Sequence, residues 1–303
     1  MLYFDHAATT PVHPKVVKKM EDVSRLDYGN PSSVYSSGRV AKSIIEDARS
    51  QIARMIDASP SEIYFTGSGT EANNIVLWSM LYNEKKHVIT SAIEHPAVLK
   101  VLEELQYFGI TFDVLPVDST GLVDPKDVEM AIKKDTGMIS IMYVNNEIGT
   151  IQSLQKLIEI SKKRSILFHS DCVQVIGKLP LSVLKIEADY MTFSAHKFYG
   201  PKGIGFLYRR KGAPLRPLVI GGGQESNIRA GTENISGIAG LGVAAKLAYQ
   251  NLNSRIDHLF QLEKYFKNNI IQKLPHIIFN GNNDQHIPGL CSITIPRKKN
   301  EIV

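Results

Sequence analysis

The chain has 303 residues, of which 43% are hydrophobic and 21% are charged, and its formal net charge is +5. Two cysteines exclude a disulfide framework, and the mild positive charge, without a basic stripe interleaved with aromatic residues, argues against nucleic-acid binding. No apolar run is long enough to span a membrane and residues 1–5 lack the basic start of a secretory signal, so we expect a cytoplasmic protein.

Helical and strand patterns alternate along the first 208 residues. In the first helix the apolar residues recur at helical spacing, at Val40, Ile44, Ala48, Ile52 and Met55. The elements predicted in chain order are a helix over 35–56, a strand over 63–65, a helix over 71–81, a strand over 87–90, a helix over 96–108, a strand over 111–117, a helix over 125–133, a strand over 138–143, a helix over 153–163, and strands over 166–169, 190–193 and 204–208. This alternation predicts an α/β fold with a mostly parallel central sheet and helices on both faces.

The pattern changes after the last of these strands. Helices are predicted over 234–251 and 256–274, followed by short strands near 276–280 and 290–295. We therefore expect an N-terminal segment of residues 1–14, a large domain over 15–255, and the start of a smaller α+β domain over 256–303.

Two polar segments each follow an apolar, β-type run. They are residues 170–174 (SDCVQ) and residues 194–197 (SAHK). Groups just past strand ends are where open α/β sheets place their ligands. Lys197 can form a Schiff base with an aldehyde, and Asp171 can keep a pyridine nitrogen protonated, which are the two groups by which a pyridoxal 5'-phosphate (PLP) site is recognised. Either residue alone would more often be a solvated surface group, so the pair carries the prediction.

The turn over residues 67–70 (GSGT) lies between a predicted strand and a predicted helix. Backbone N–H groups at a helix N-terminus bind phosphate, and glycine lets an anion approach closely. The turn also fits the G-x-G-x-x-A pattern of dinucleotide sites, with Glu94 past the next strand as a ribose ligand. We rank this alternative below a PLP site because it leaves Lys197 and Asp171 without a role.

These motifs occur in the same order in a known family. The chain resembles the class V, fold-type I PLP-dependent enzymes, and within them the cysteine desulfurases of the NifS/IscS kind. The matching segments are 5–11 (DHAATTP), 28–33 (YGNPSS), 67–74 (GSGTEANN), 94–95 (EH), 145–150 (NNEIGT), 170–174, 194–197, 200–203 (GPKG) and 229–234 (RAGTEN). Each segment alone is a weak signal, whereas all of them in order form a strong one.

The resemblance implies a role for each candidate site residue. Lys197 would be the catalytic lysine, with Lys202 in a nearby turn as a weaker candidate. His95 would stack on the pyridine ring and move protons, although a histidine before a proline could also be only a helix-entry residue. The other implied contacts are Asp171 with the ring nitrogen, Gln174 with the phenolic oxygen, Gly69, Thr70, Ser194 and His196 with the phosphate, Asn146 with ring and substrate, Thr232 from the partner subunit, and Asn30 near the substrate carboxylate.

The resemblance also implies an activity and partners. The protein would be a homodimer with a shared active site that removes sulfur from L-cysteine, giving alanine and an enzyme-bound persulfide. The sulfur would pass to an acceptor or scaffold protein in iron–sulfur cluster assembly or tRNA thiolation. A selenocysteine lyase, an aminotransferase and a non-catalytic regulatory subunit are the alternatives. We expect no metal ion in the site.

The chain departs from the family pattern near its C-terminus. The family's nucleophilic cysteine lies on a Gly-Ser-x-Cys-like loop after the region matching residues 287–293, and an arginine that binds the substrate carboxylate follows it. The sequence ends at Val303, before both features. Cys172 and Cys291 are more simply interpreted as small buried residues. We therefore expect an incomplete small domain and an activity that is lost or needs a partner, whether the chain is a short paralogue, one piece of a split protein or a truncated product.

Overall fold

A central sheet flanked by helices organises the chain, of which the computed structural model describes residues 2–297. The elements in chain order are α1 (Pro14–Leu26), α2 (Ser36–Met55), β1 (Ile63–Thr66), α3 (Gly69–Trp78), β2 (His87–Ser91), α4 (Pro96–Leu105), β3 (Thr111–Leu115), α5 (Pro125–Ala131), β4 (Thr136–Ser140), α6 (Leu154–Lys163), β5 (Leu167–Asp171), α7 (Val183–Ile186), β6 (Tyr190–Ser194), β7 (Gly205–Arg209), α8 (Ile235–Gln250), α9 (Leu252–Lys273), β8 (Ile278–Phe279) and β9 (Ile293–Thr294).

The first seven strands form one sheet in the order β1-β7-β6-β5-β4-β2-β3. Strand β7 runs antiparallel to β1 and β6, and the remaining neighbours are parallel. The predicted mostly parallel sheet is therefore confirmed. The strand order reverses direction between β4 and β2, which is the position at which open α/β sheets form a ligand crevice.

Two buried apolar clusters hold the helices against the sheet. The larger one joins α2, α6 and α8 to the strands, and the smaller one joins α3 and α4 to them. Helix α8 lies so close to α2 that a Cβ placed on Gly242 would meet the Cα of Ala48 at 2.7 Å. The rings of Phe193 and Phe206 stack between β6 and β7 with centroids 4.3 Å apart, which fixes the strand that leads into residues 194–197.

Most predicted elements are present, and their ends differ for local reasons. Helix α3 begins at Gly69, two residues before the predicted start, because the Ser68 hydroxyl accepts a hydrogen bond from the backbone N–H of Glu71 at 3.0 Å. The predicted strands near 276–280 and 290–295 shorten to β8 and β9, which have two residues each. The predicted domain boundary at residue 255 falls inside α9, and the division into domains stays a prediction.

The described part of the chain contains no helix that is both long and apolar enough to cross a membrane.

Candidate active site

A cavity of about 300 Å³ opens at the carboxyl ends of β5 and β6, beside the N-terminus of α3. It also reaches His95, which follows β2, and Met142 and Asn146, which follow β4, and the strand order reverses between these two strands. Its lining includes most of the candidate residues that the sequence indicates, namely Gly69, Thr70, His95, Asn146, Asp171, Gln174, Ser194, His196 and Lys197. The fold therefore brings together residues that are up to 128 positions apart in the sequence (197 minus 69).

Two candidate residues lie elsewhere in this chain. Thr232 lines a separate cavity together with Gly67 and Arg229. The exposed Asn30 accepts a hydrogen bond from the backbone N–H of Ser32 at 2.9 Å and does not line the main cavity. The assignment of Thr232 to a partner subunit's site and of Asn30 to the substrate stays a prediction.

The Asp171 carboxylate ends β5 and is held in one orientation. Its Oδ2 accepts a hydrogen bond from Asn73 Nδ2 at 2.7 Å, and its Oδ1 accepts one from the backbone N–H of Val173 at 3.0 Å. Asn73 is itself fixed, because Thr192 Oγ1 donates to Asn73 Oδ1 at 2.5 Å. Reasoning from the sequence missed this relay of Asn73 and Thr192. The available signal was helical spacing, because Asn73 lies one turn after Gly69 on the same face of α3.

Burial raises the pKa of Asp171, while its hydrogen bonds and the nearby His95 and Lys197 oppose the shift. Among residues 2–297, no cationic side chain forms an ion pair with this carboxylate. The site therefore holds a buried carboxyl group whose hydrogen-bond donors are neutral amides.

The N-terminal segment closes one side of the cavity over Lys197. The Lys197 amine donates hydrogen bonds to the backbone oxygens of Ala7 at 2.6 Å and Ala8 at 2.8 Å. Gln174 Nε2 also donates to the Ala7 oxygen, at 2.8 Å. Burial lowers the pKa of Lys197, and the negative charges of Asp171, Asp5 and Glu147 limit the shift. A larger fraction of this amine is thus neutral than for a solvated lysine.

The turn before α3 offers backbone N–H groups to an anion. Ser68 uses its hydroxyl on the N–H of Glu71, and the first two helical residues, Gly69 and Thr70, line the cavity. A Cβ at Gly69 would meet Val173 Cγ2 at 2.7 Å, so a larger side chain would clash with Val173 and occupy the space beside the backbone N–H groups. These features fit a phosphate bound at a helix N-terminus.

His196 and His95 are both fixed by hydrogen bonds. His196 Nδ1 lies 3.1 Å from Thr9 Oγ1, and burial, with the nearby Lys197 and Lys202, lowers the pKa of His196 to about 4. His196 is therefore neutral at physiological pH. His95 Nδ1 accepts a hydrogen bond from the backbone N–H of Ala97 at 3.0 Å, which caps α4 and leaves Nε2 as the protonated nitrogen of the neutral ring. His95 is thus both a helix-entry residue and a cavity residue.

Known proteins are similar to this chain in sequence and in structure. A family model described as aminotransferase class-V matches residues 2–303. The chain belongs to this family.

Several relatives of this class V family member are cysteine desulfurases. The "Cysteine desulfurase IscS" of Dictyoglomus turgidum is 44% identical over 291 residues, covering 95% of this chain and 74% of the relative. That of Methanosarcina thermophila is 42% identical over 296 residues, covering 97% and 73%. A solved structure named "NIFS-LIKE PROTEIN" has a TM-score of 0.96 at 38% identity and covers 99% of this chain and 83% of that one. The structure titled "SspA in complex with cysteine" has a TM-score of 0.79 at 39% identity, covering 81% and 72%.

The cavity of this class V protein fits PLP by the chemistry of its residues. PLP carries a phosphate, an aldehyde and a ring nitrogen that is charged when protonated. The amides of Gly69 and Thr70 suit the phosphate, the depressed pKa of Lys197 suits reaction with the aldehyde, and the ring nitrogen would supply the cation that Asp171 lacks. The dinucleotide alternative loses its support, because Glu94 does not line the cavity.

The two cysteines differ in position. Cys172 is fully buried in the larger apolar cluster, and burial raises the pKa of its thiol. Cys291 is partly exposed and lines a second cavity of about 230 Å³ that also contacts Lys197 and Asn146. Burial, with the charge of Glu263, raises the pKa of Cys291 to about 11. Both thiols are therefore protonated at neutral pH and are weak nucleophiles.

Glu94 lies buried behind the cavity rather than in it. Its Oε1 accepts hydrogen bonds from Ser91 Oγ at 2.6 Å and from the backbone N–H of Met142 at 2.8 Å. Its Oε2 has no hydrogen-bond partner among the residues that the structure describes. Burial, with a smaller contribution from Asp171, raises the pKa of Glu94 to about 8. The side chain is thus mostly protonated at neutral pH.

This buried carboxyl predicts a stability that falls with rising pH. The pKa of Glu94 is about 8 in the folded protein and 4.5 ordinarily, so folding retains a proton between these values. The contribution to the free energy of unfolding is complete below pH 4.5 and is lost as the pH rises through 8, at up to about 1.4 kcal/mol per pH unit. Glu94→Gln, which cannot ionise, should gain stability relative to the wild type across this range.

Urea unfolding of both proteins over that pH range measures the effect. Glu129→Gln, an exposed position on α5, is the matched control and should give a pH profile parallel to that of the wild type. A parallel profile for Glu94→Gln as well would contradict the assignment.

Proposed function

We propose that this chain binds PLP and acts on L-cysteine as a cysteine desulfurase. The observation that carries the proposal is the placement of Lys197 and Asp171 in one cavity at the switch point of the sheet. The relatives named cysteine desulfurase, and a structural neighbour whose title describes a complex with cysteine, support the choice of activity and substrate.

In this proposal Asp171, Gly69 and Thr70 orient the cofactor. Bound PLP would supply an electron sink for bond breaking at the substrate α-carbon. The Asn73–Thr192 relay keeps the Asp171 carboxylate directed into the cavity, so its charge is available without rearrangement. Ser194 and the neutral His196 would add to the phosphate contacts, and Gln174 would contact the phenolic oxygen.

Lys197 would act as the proton acceptor at the substrate α-carbon. Its amine is poised for this step because burial lowers its pKa, so that more of the neutral, basic form is present. His95, with Nδ1 committed to the α4 cap, would exchange protons through Nε2. Asn146 would contact ring and substrate, and Asn30 would lie near the substrate carboxylate. Thr232 would serve the site of a partner subunit in a cytoplasmic homodimer with a large and a small domain.

The step after proton removal sets a further requirement. Sulfur transfer needs a thiolate that attacks the substrate sulfur and becomes a persulfide, with alanine as the other product. Cys172 is buried away from the cavity and the pKa of Cys291 is about 11, so neither supplies much thiolate at neutral pH. We propose that this chain carries out the steps up to proton removal, and that efficient sulfur transfer, toward iron–sulfur cluster assembly or tRNA thiolation, uses a more acidic thiol.

A visible absorbance spectrum with added PLP, followed by L-cysteine in D₂O, tests the proposal. We expect an absorbance band that shifts on cysteine addition, exchange of the cysteine α-hydrogen for deuterium, and little alanine unless a thiol partner is added. Absence of a protein-bound PLP band, once unbound PLP has been removed, would overturn the cofactor assignment. Stoichiometric persulfide on Cys172 or Cys291, detected by mass spectrometry with rapid alanine release, would overturn the requirement for another thiol.

A further inference from the structure

A second cavity adjoins the first and shares Lys197 and Asn146 with it. Its volume is about 230 Å³, and Arg255 of α9 and Lys178 also line it. The acidic residues on its lining are Asp5 and Glu147. Two basic side chains, Arg255 and Lys178, thus converge on one small space beside the proposed catalytic lysine.

The Arg255 guanidinium has no hydrogen-bonding or ionic partner among residues 2–297. Its guanidinium carbon lies 4.6 Å from the centre of the Tyr199 ring. Two other half-buried arginines are paired: Arg49 forms two hydrogen bonds to Glu225, at 2.8 and 2.9 Å, and Arg229 contacts Glu71 at 2.8 Å. Arg255 therefore keeps its donors available to a ligand.

The backbone makes room for this side chain at Gly177. A Cβ at Gly177 would lie 2.8 Å from Arg255 Nη1, and the φ of this glycine is +75°, which other residues rarely adopt. The guanidinium is therefore held between a ring face and a glycine backbone, which limits its conformations in the absence of an ion pair.

Lys178 adds a second basic group to this space. Its amine donates to Gln174 Oε1, and burial, followed by the charges of Lys197 and Arg255, lowers the pKa of Lys178 to about 7. A bound anion would relieve this crowding of basic groups, because it would pair with Arg255 and favour the protonated form of Lys178.

We propose that Arg255, assisted by Lys178, binds the α-carboxylate of the amino acid substrate. This inference rests on the proposed function, because it places the substrate amine at Lys197 and the carboxylate in the adjoining cavity. A guanidinium presents paired N–H donors that match a carboxylate. A phosphate is less suitable here, because the helix N-terminus in the first cavity already provides the phosphate site.

Equilibrium binding of L-alanine and ethylamine to the PLP-loaded protein, measured by calorimetry, tests the subsite. Ethylamine lacks only the carboxylate of L-alanine. Arg255→Met should weaken L-alanine binding roughly 10- to 100-fold, as expected for loss of hydrogen bonds to a charged group. It should change ethylamine binding by less than about twofold, which is within the scatter of such comparisons. Arg255→Lys, which keeps the charge but not the paired donors, should fall between.

Arg54→Met is the matched control, because Arg54 also lies over a tyrosine ring, Tyr249, at 5.2 Å but does not line either cavity. Unchanged L-alanine binding in Arg255→Met, or equal losses for L-alanine and ethylamine, would overturn the proposal. The absorbance band reports separately on the cofactor. Without a band the proposed function fails, and L-alanine titrations of PLP-free protein, in which Arg255→Met should again weaken binding, still decide the subsite.

Discussion

Lys197→Ala is expected to remove the visible absorbance band and to abolish exchange of the L-cysteine α-hydrogen. The amine is the group that would join the aldehyde and accept the substrate proton, and its burial keeps it partly neutral for both tasks. Loss of the proton acceptor alone should reduce the rate by roughly 10²- to 10⁴-fold, and loss of the covalent attachment adds to this. The variant should still fold, because the removed contacts are two hydrogen bonds to the backbone at Ala7 and Ala8.

Lys202→Ala is the matched control for this prediction. Lys202 is the nearest other lysine in the segment, is exposed in a turn, and does not line the main cavity. Spectra and α-hydrogen exchange should therefore match the wild type in Lys202→Ala and vanish in Lys197→Ala. A band that persists in Lys197→Ala but disappears in Lys202→Ala would mean that the catalytic lysine is misassigned.

The sequence predicts which residues line the cavity where they directly follow a strand. Asp171 is the last residue of β5 and Lys197 comes three residues after the end of β6. Parallel strands bring their carboxyl ends to one edge, so the position of a polar residue just after a buried strand is enough to place it near a cavity. The same reasoning placed Gly69 and Thr70, because a glycine turn between a strand and a helix leaves N–H groups free.

Contacts made between distant segments carried no such local signal. The Ala7 oxygen accepts from Lys197, 190 residues away, and nothing in the sequence distinguishes that carbonyl from its neighbours. Asn73 was included in a matching motif, but its bond to Asp171 depends on how α3 docks on the sheet. Arg255 lies just before the helix predicted over 256–274, and its place beside Lys197 follows from the packing of α9.

Asp171→Asn is expected to lower the rate of α-hydrogen exchange of L-cysteine roughly 10²- to 10⁴-fold. This is the loss expected when one member of a buried ion pair is left without its partner. The neutral amide cannot stabilise a protonated ring nitrogen. In addition, one of its two polar atoms must be an NH₂ group, yet both positions now accept hydrogen bonds, from Asn73 Nδ2 and from the Val173 N–H. The amide therefore places a donor against a donor, and PLP should bind more weakly and show an altered absorbance band.

Asp189→Asn separates this effect from a general cost of changing a buried aspartate. Asp189 is 5% exposed, as is Asp171, but it pairs with Arg210 and accepts from the Phe168 N–H at 2.8 Å, away from the cavity. It should lower the free energy of unfolding without changing the absorbance band, whereas Asp171→Asn should change both the band and turnover. Equal PLP affinity and equal α-hydrogen exchange in Asp171→Asn and the wild type would show that Asp171 is only structural. The negative charge of Asp171 would then have no cationic ring nitrogen to stabilise.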